Sequence, residues 1–358
     1  MSPSIISTCT LLLFISLCMY ISNIDYITKQ DYIIPTKQKL IRLKNIENIS
    51  VLVTGGAGFI GHHVMKQLQK RNIAVIGIDN YNDYYPVHLK KTRAKITGAV
   101  YDVDVCNSDL VRQIMNKHIV THVIHLAAQA GVRYSIEHPQ AYVKSNIECF
   151  VELLELLKAK NISLVYASSS SVYGKNIKIP FLESDPVVQP VSLYAATKLE
   201  NELMAHVYWN MYKLRSIGLR FFTVYGPLGR PDMAYYSFTK NITTGSPISV
   251  FNHGNLYRDF TYISDIVDGI IRCLQIDYEY EILNLGRGEP HKLMTFIKYI
   301  EDAIGKKAVL DYQNMANGDV MTTYADVSKA KRLLGYVPKI SLKDGIEIFC
   351  KWYKRYNL

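Results

Sequence analysis

One short string, Val51-Leu52-Val53-Thr54-Gly55-Gly56-Ala57-Gly58-Phe59-Ile60-Gly61, constrains what this chain can fold into more than any other part of it. The apolar, β-branched run predicts a strand, and glycines 55, 58 and 61 fall at its end and at the start of a helix. Gly55 permits a tight turn, Gly58 lets backbone approach a pyrophosphate, and Gly61 lets the helix pack closely on the sheet. Phe59 and Ile60 open that helix, whose positive end meets the phosphates. A glycine triplet alone is weak evidence, but Asp79 ends the next strand pattern, 24 residues beyond Gly55. A carboxylate there accepts from ribose hydroxyls and repels a 2′-phosphate, which favours NAD over NADP.

Short apolar runs alternate with amphipathic stretches beyond this point, the pattern of a doubly wound parallel α/β sheet. The candidate strands are Ser50–Thr54, Ile73–Ile78, Ala99–Tyr101, His122–Leu126, Leu164–Ala167 and Ile217–Phe222. From about residue 225 short elements punctuated by Gly and Pro take over, with helical patterns near Ser264–Ile276 and Lys292–Ile304. The expected plan is a Rossmann domain over residues 48–224 and a smaller mixed α/β substrate-binding lobe over 225–358, interleaved with the first. A polar linker over residues 25–47 precedes them, and no internal repeat is visible.

Residues 1–24 are set apart by an uncharged stretch from Ile5 to Ile24, long enough at about 1.5 Å per residue to span the hydrocarbon of a bilayer. No Lys or Arg precedes it and no cleavage site stands out, which argues against a signal peptide. Lys29, Lys37, Lys39, Arg42 and Lys44 follow it, so a membrane-anchored protein with its folded body on the cytoplasmic side is expected, the alternative being a soluble cytoplasmic one. The net charge of +10 comes from scattered basic residues, which suits an anionic small molecule or a membrane surface rather than nucleic acid. Six cysteines, Cys9, Cys18, Cys106, Cys149, Cys273 and Cys350, include no CxxC pair and read as free, mostly buried thiols of a reducing compartment. The pairs His62/His63 and His122/His125 lack a carboxylate or thiol at ligand spacing, so no metal is expected.

Tyr194 and Lys198 are four apart in a helical pattern and share a face. A phenol with an ordinary pKa near 10 is a poor base at pH 7, and a lysine ammonium together with a cationic cofactor can lower it. Such a spacing is common by chance. It gains weight here from the upstream glycine turn and from the hydroxyl cluster Ser168-Ser169-Ser170-Ser171, which follows the fifth strand at the edge where such sheets bind ligands.

The strings TGGAGFIG, HLAAQAG, YASSSSVYG and YAATK together resemble the extended short-chain dehydrogenase/reductase superfamily, in particular its nucleotide-sugar epimerases and dehydratases. AGVRYSIEHP from Ala130, RFFTVYGPLGRPDMA from Arg220, RDFTYISDIVDGI from Arg258 and GDVMTTYADVSKA from Gly318 are most similar to UDP-glucuronate 4-epimerases. The resemblance runs from residue 50 to the C-terminus. It implies Tyr194 as catalytic base, Lys198 as the partner that lowers its pKa and holds the nicotinamide ribose, and Ser169 as the catalytic hydroxyl. It further implies that Asp104 and Val105 flank adenine, and that Ala127, Ala128 and Gln129 line the cofactor channel. Arg258 is implied to neutralise the UDP diphosphate, Arg230 and Asp319 to contact the nucleotide sugar, and Thr223 to lie near the sugar or diphosphate. A homodimer with a helical interface is implied as well.

Chemistry separates the relatives. A 4,6-dehydratase resembles enzymes with an Asp-Glu pair beside the catalytic hydroxyl, and a UDP-glucuronate decarboxylase tends to carry Glu at the second position; here the two positions are Ser170 and Ser171. Without an extra acid or base, the simplest cycle takes hydride from carbon 4 and returns it to the opposite face of a 4-keto sugar. Neutral hydroxyls at 170 and 171 donate to a substrate carboxylate without repelling it, which favours UDP-glucuronate over UDP-glucose. An NAD-binding scaffold without catalysis has no reason to keep Tyr194, Lys198 and Ser169 together.

Overall fold

A computed structural model describes residues 46, 48–315 and 320–357; the apolar stretch 5–24, Cys9, Cys18 and Asp319 lie outside the described residues. In the first half, strands β1 (Ser50–Thr54), β2 (Ala74–Asp79), β3 (Val100–Asp102), β4 (His122–His125), β5 (Ser163–Ser169) and β6 (Ser216–Phe221) fall on the apolar runs. Helices α1 (Phe59–Lys70), α2 (Val87–Thr97), α3 (Ser108–Lys117), α4 (Cys149–Lys160) and α5 (Leu193–Tyr212) connect them. The second half supplies β7 (Thr223–Tyr225), β8 (Pro247–Phe251), β9 (Tyr257–Tyr262), β10 (Tyr280–Leu285), β11 (Pro290–Lys292), β12 (Val309–Gln313) and β13 (Thr322–Thr323).

The main sheet has seven strands in the order β10-β6-β5-β4-β1-β2-β3, with parallel neighbours throughout. It is apolar on both faces because it is covered on both. Side chains alternate along each strand, so Val51 and Val53 of β1 join one core cluster with Val64, Met65 and Leu68 of α1. Leu52 joins the other, with Val111 of α3 and Leu153 and Leu157 of α4. The order reverses between β1 and β4, opening the crevice where such sheets bind ligands.

β10 had no counterpart among the expected strands. It comes from the second half of the chain yet pairs in register with β6, Leu283 opposite Leu219. Beyond the main sheet, β9 pairs with β7, β11 and β13, while β8 pairs with β12. β7 starts two residues after β6 ends, so the strand-end residues of the main sheet feed directly into the smaller one.

Candidate active site

The glycine turn is built for close approach. Gly55 has φ of +70°, and a Cβ there would lie 2.8 Å from the Ala127 amide nitrogen. A Cβ on Gly61 would lie 2.1 Å from the Gly55 carbonyl oxygen, and one on Gly58 2.9 Å from the same atom. Helix α1 starts at Phe59 with no side chain capping Gly58 and no acidic residue in its first turn, which leaves its positive end to an anion. Asp79 is buried at the end of β2; it accepts from the backbone N–H groups of Ala57 (3.1 Å) and Tyr81 (2.9 Å). Burial nevertheless raises its pKa, the N–H donors and the Lys90 ammonium opposing this. Thr54 ties the two strand ends together, its hydroxyl accepting from the N–H groups of Leu126 (3.2 Å) and Ala127 (3.1 Å).

These pieces open on one cleft of about 520 Å³, within the usual range for a small-molecule site. Its walls include Gly55, Gly58, Phe59, Ile60, Gly61 and Asp79. Asp104, Val105, Ala127, Ala128 and Gln129 continue them. Ser169, Ser170, Ser171, Tyr194 and Lys198 form the stretch beyond, and Thr223, Arg230 and Arg258 also border the same space. The cleft therefore brings together every candidate catalytic, cofactor-binding and substrate-binding residue named from the sequence except Asp319, which lies outside the described residues.

At its centre, α5 starts at an N-cap, Ser192, whose hydroxyl accepts from the Ala195 N–H at 3.1 Å. This fixes Tyr194 and Lys198 on the first turns, facing the end of β5. Burial pushes the Tyr194 phenol up, while its hydrogen bond with Ser169 and the positive charge of Arg230 pull it down. Ser169 also donates to Ser171 Oγ at 3.1 Å. The Lys198 ammonium donates to the Ala167 carbonyl at 2.8 Å, and burial lowers its pKa to about 8.

The ring of Tyr194 meets that of Tyr142 edge to face, with centroids 6.1 Å apart. Behind them, Asn146, on a π-helical turn over Val143–Glu148, accepts from the Gln129 N–H (2.8 Å) and donates to Thr197 on α5 (3.0 Å). On the other side of α5, buried Glu202 accepts from Ser168 and holds Arg220 of β6 with bonds of 2.9 and 2.7 Å. Removing one partner of such a pair costs about 3–5 kcal/mol, so the register of α5 on β5 and β6 is firmly set.

Arg230 is gripped by Asp232 at both carboxylate oxygens (3.0 and 2.5 Å), and Tyr84 donates to the same carboxylate at 3.0 Å. Buried Arg93 of α2 holds the adjoining loop through the carbonyls of Leu228 and Gly229, both at 3.0 Å. Arg258 sits on β9 and donates to the carbonyls of Tyr257 and Met321. Asn146, Glu202, Tyr84 and Arg93 escaped the sequence reading because each looks like an ordinary polar surface residue, and its partners lie far along the chain.

The cysteines need a correction. Cys106 and Cys149 are not free thiols but a disulfide, with Cα atoms 4.5 Å apart. The turn after β3 runs against the first residue of α4, a proximity that a 43-residue separation does not reveal. Cys273 and Cys350 are free and buried, as expected. Asp104 lies close to the bridged pair, but the two sulfurs are bonded to each other and offer no thiolate to a metal ion. Of the histidines, His125 is buried against Thr54 with a 2.8 Å hydrogen bond, and burial lowers its pKa to about 3.

Comparison with known proteins agrees with this geometry. UDP-glucuronate 4-epimerase 4 of Arabidopsis thaliana is 45% identical over 88% of the chain and 78% of its own length. A crystal structure of UDP-glucuronic acid 4-epimerase from Bacillus cereus, in complex with UDP-glucuronic acid and NAD, superposes with a TM-score of 0.81 at 35% identity, covering 86% of this chain and 99% of that one. A UDP-glucose 4-epimerase from Thermotoga maritima, solved with UDP-glucose, gives 0.81 at 28% identity, covering 87% and 100%. The family model described as NAD dependent epimerase/dehydratase family matches residues 51–286. Matched by this model over more than half of its length and 45% identical to a relative over 88% of it, the chain belongs to the NAD dependent epimerase/dehydratase family.

Proposed function

We propose that this protein interconverts UDP-glucuronate and UDP-galacturonate by NAD-dependent 4-epimerisation. The observation that carries the reading is that Tyr194 lines one cleft with the neutral hydroxyls of Ser169, Ser170 and Ser171, where a dehydratase carries an Asp-Glu pair and a decarboxylase tends to carry a Glu. The kinship with UDP-glucuronate 4-epimerases supports it.

A dinucleotide fits the cleft: three glycines leave no room for a Cβ where a pyrophosphate must approach, and a buried carboxylate waits at the end of β2. Gly55, Gly58, Phe59, Ile60 and Gly61 hold the pyrophosphate, Asp79 the adenosine ribose, Asp104 and Val105 the adenine. Ala127, Ala128 and Gln129 line the channel, and Lys198 reaches the nicotinamide ribose. When bound, NAD supplies a hydride acceptor that becomes the donor in the second half of the cycle. Tyr194 takes the proton from the sugar's 4-hydroxyl, relayed or shared with Ser169, and returns it to the 4-keto oxygen once the turned sugar receives hydride on its opposite face. Ser170 and Ser171 donate to the uronate carboxylate; Arg230, Thr223 and Asp319 contact the nucleotide sugar, and Arg258 offsets the diphosphate charge. In this division of labour residues 48–224 serve mainly the cofactor and 225–358 mainly the nucleotide sugar.

Incubating the purified protein with UDP-glucuronate and separating the uronates tests the reading. UDP-galacturonate is expected; UDP-xylose, or turnover confined to UDP-glucose, contradicts it. The product is a source of galacturonic acid for polysaccharide.

Two assemblies belong to the proposal. On α5, Leu203, Val207 and Met211 repeat every four residues and are 53%, 48% and 63% exposed, an apolar stripe that suits a homodimer. Val207→Glu should shift a dimer to monomer in size-exclusion chromatography with light scattering; a wild-type monomer contradicts the assignment. No helix among the described residues is long and apolar enough to cross a membrane. The stretch from Ile5 to Ile24 is proposed as an anchor that keeps the body on the cytoplasmic side. The full chain should then stay with membranes after a carbonate wash, and release into the supernatant contradicts this.

A further inference from the structure

The structure assigns a second chemical role to the far end of the cleft. We propose that Cys106 and Cys149 form a thiol-modification site, closed by peroxides and opened by small dithiols, whose closed form holds the dinucleotide more tightly. The proposal rests on the NAD reading given above.

The bridge is part of the wall around the adenine end. Cys149 borders the cleft together with Asp104 and Val105, and Cys106 is the next residue along the turn. That turn is closely knit. Cys106 donates its N–H to Asp104 Oδ1 at 2.9 Å, and Asn107 donates its own to the Asp104 carbonyl at 2.9 Å. Asn80, beside the ribose-site Asp79, donates to Asp104 Oδ2 at 2.9 Å. Ribose loop, adenine-flanking turn and bridge therefore form one chain of contacts, and α4 anchors its end through Cys149. Cα atoms 4.5 Å apart lie within the span that a disulfide bridges without moving backbone.

The chemistry balances with two simple reagents. A thiolate of a small dithiol attacks the sulfur of Cys106, a residue only partly buried, and Cys149 leaves as a thiolate. The reagent's second thiol then displaces Cys106 and leaves as a cyclic disulfide, so two electrons and two protons have passed to the protein. In the reverse direction hydrogen peroxide takes two electrons from the two thiols, and the bridge forms with two molecules of water. Cys273 and Cys350 are buried and their thiols are pushed up by that burial, so they do not compete as thiolates.

Opening the bridge changes the wall. The covalent tie between α4 and the turn carrying Asp104 and Val105 is lost, and the turn is free to sample more conformations. A loosened turn has to be ordered again when adenine binds, which weakens binding.

The test strips copurified NAD from the full chain, titrates it with NAD by calorimetry after hydrogen peroxide or after dithiothreitol, and counts alkylated cysteines by mass spectrometry. The reduced form is expected to bind with a Kd about threefold larger or more, with residues 106 and 149 alkylated only in that form. Cys106→Ser should bind like the reduced form under both conditions. Equal affinities, tighter binding in the reduced form, or alkylation of both residues after peroxide overturns the proposal while leaving the NAD reading intact. Absence of NAD binding in both forms overturns the two together.

Discussion

Tyr194→Phe should lower the turnover of UDP-glucuronate by about three orders of magnitude or more while leaving fold and bound NAD in place. The substitution removes one hydroxyl and nothing else. The ring keeps its edge-to-face contact with Tyr142, α5 keeps its Ser192 cap, and Lys198 keeps its bond to the Ala167 carbonyl. What is lost is the group that exchanges a proton with the sugar's 4-hydroxyl, for which Ser169 has no basic substitute. Steady-state rates, the absorbance of copurified NAD and the circular dichroism spectrum check the three parts of this expectation separately. A variant that retains a tenth of the wild-type rate removes Tyr194 from the chemistry.

Gly61→Ala should destabilise the protein by roughly 3 kcal/mol and abolish copurification of NAD. The added Cβ would lie 2.1 Å from the Gly55 carbonyl oxygen and 2.9 Å from its carbon, both rigid backbone atoms. The helix must back away from the turn, and the amide groups at its start move with it. Gly98→Ala is the matched control: φ is +66°, but a Cβ there meets nothing within 4 Å, so about 1 kcal/mol of backbone strain and unchanged NAD content are expected. Chemical denaturation and cofactor absorbance on both variants check the pair. Equal effects at the two positions contradict the cradle argument.

The parallel sheet was legible because its central strands are buried on both faces, and an unbroken run such as Val51-Leu52-Val53 has few other uses. The glycine turn, Asp79 and the hydroxyl cluster were legible because their chemistry restricts residue type at close spacing. β10 was missed since a six-residue strand from the second half of the chain carries no local sign of the sheet it joins. Contacts that depend on folding were equally hidden. Arg93 reaches carbonyls 135 and 136 residues away, and Asn146 links the end of β4 to α5. The balance of forces on Tyr194 was out of reach for the same reason, because desolvation is its largest part and burial is a property of the assembled cleft.

The claim at the centre is that the described cleft inverts one carbon of a uronate by oxidising and re-reducing it, with Tyr194 handling the proton. UDP-glucuronate carrying deuterium at carbon 4, incubated in ordinary water and resolved by mass spectrometry and proton NMR, tests it most directly. UDP-galacturonate that keeps its deuterium at carbon 4 is expected; a product with solvent hydrogen there, or one that has lost carbon dioxide, contradicts this chemistry.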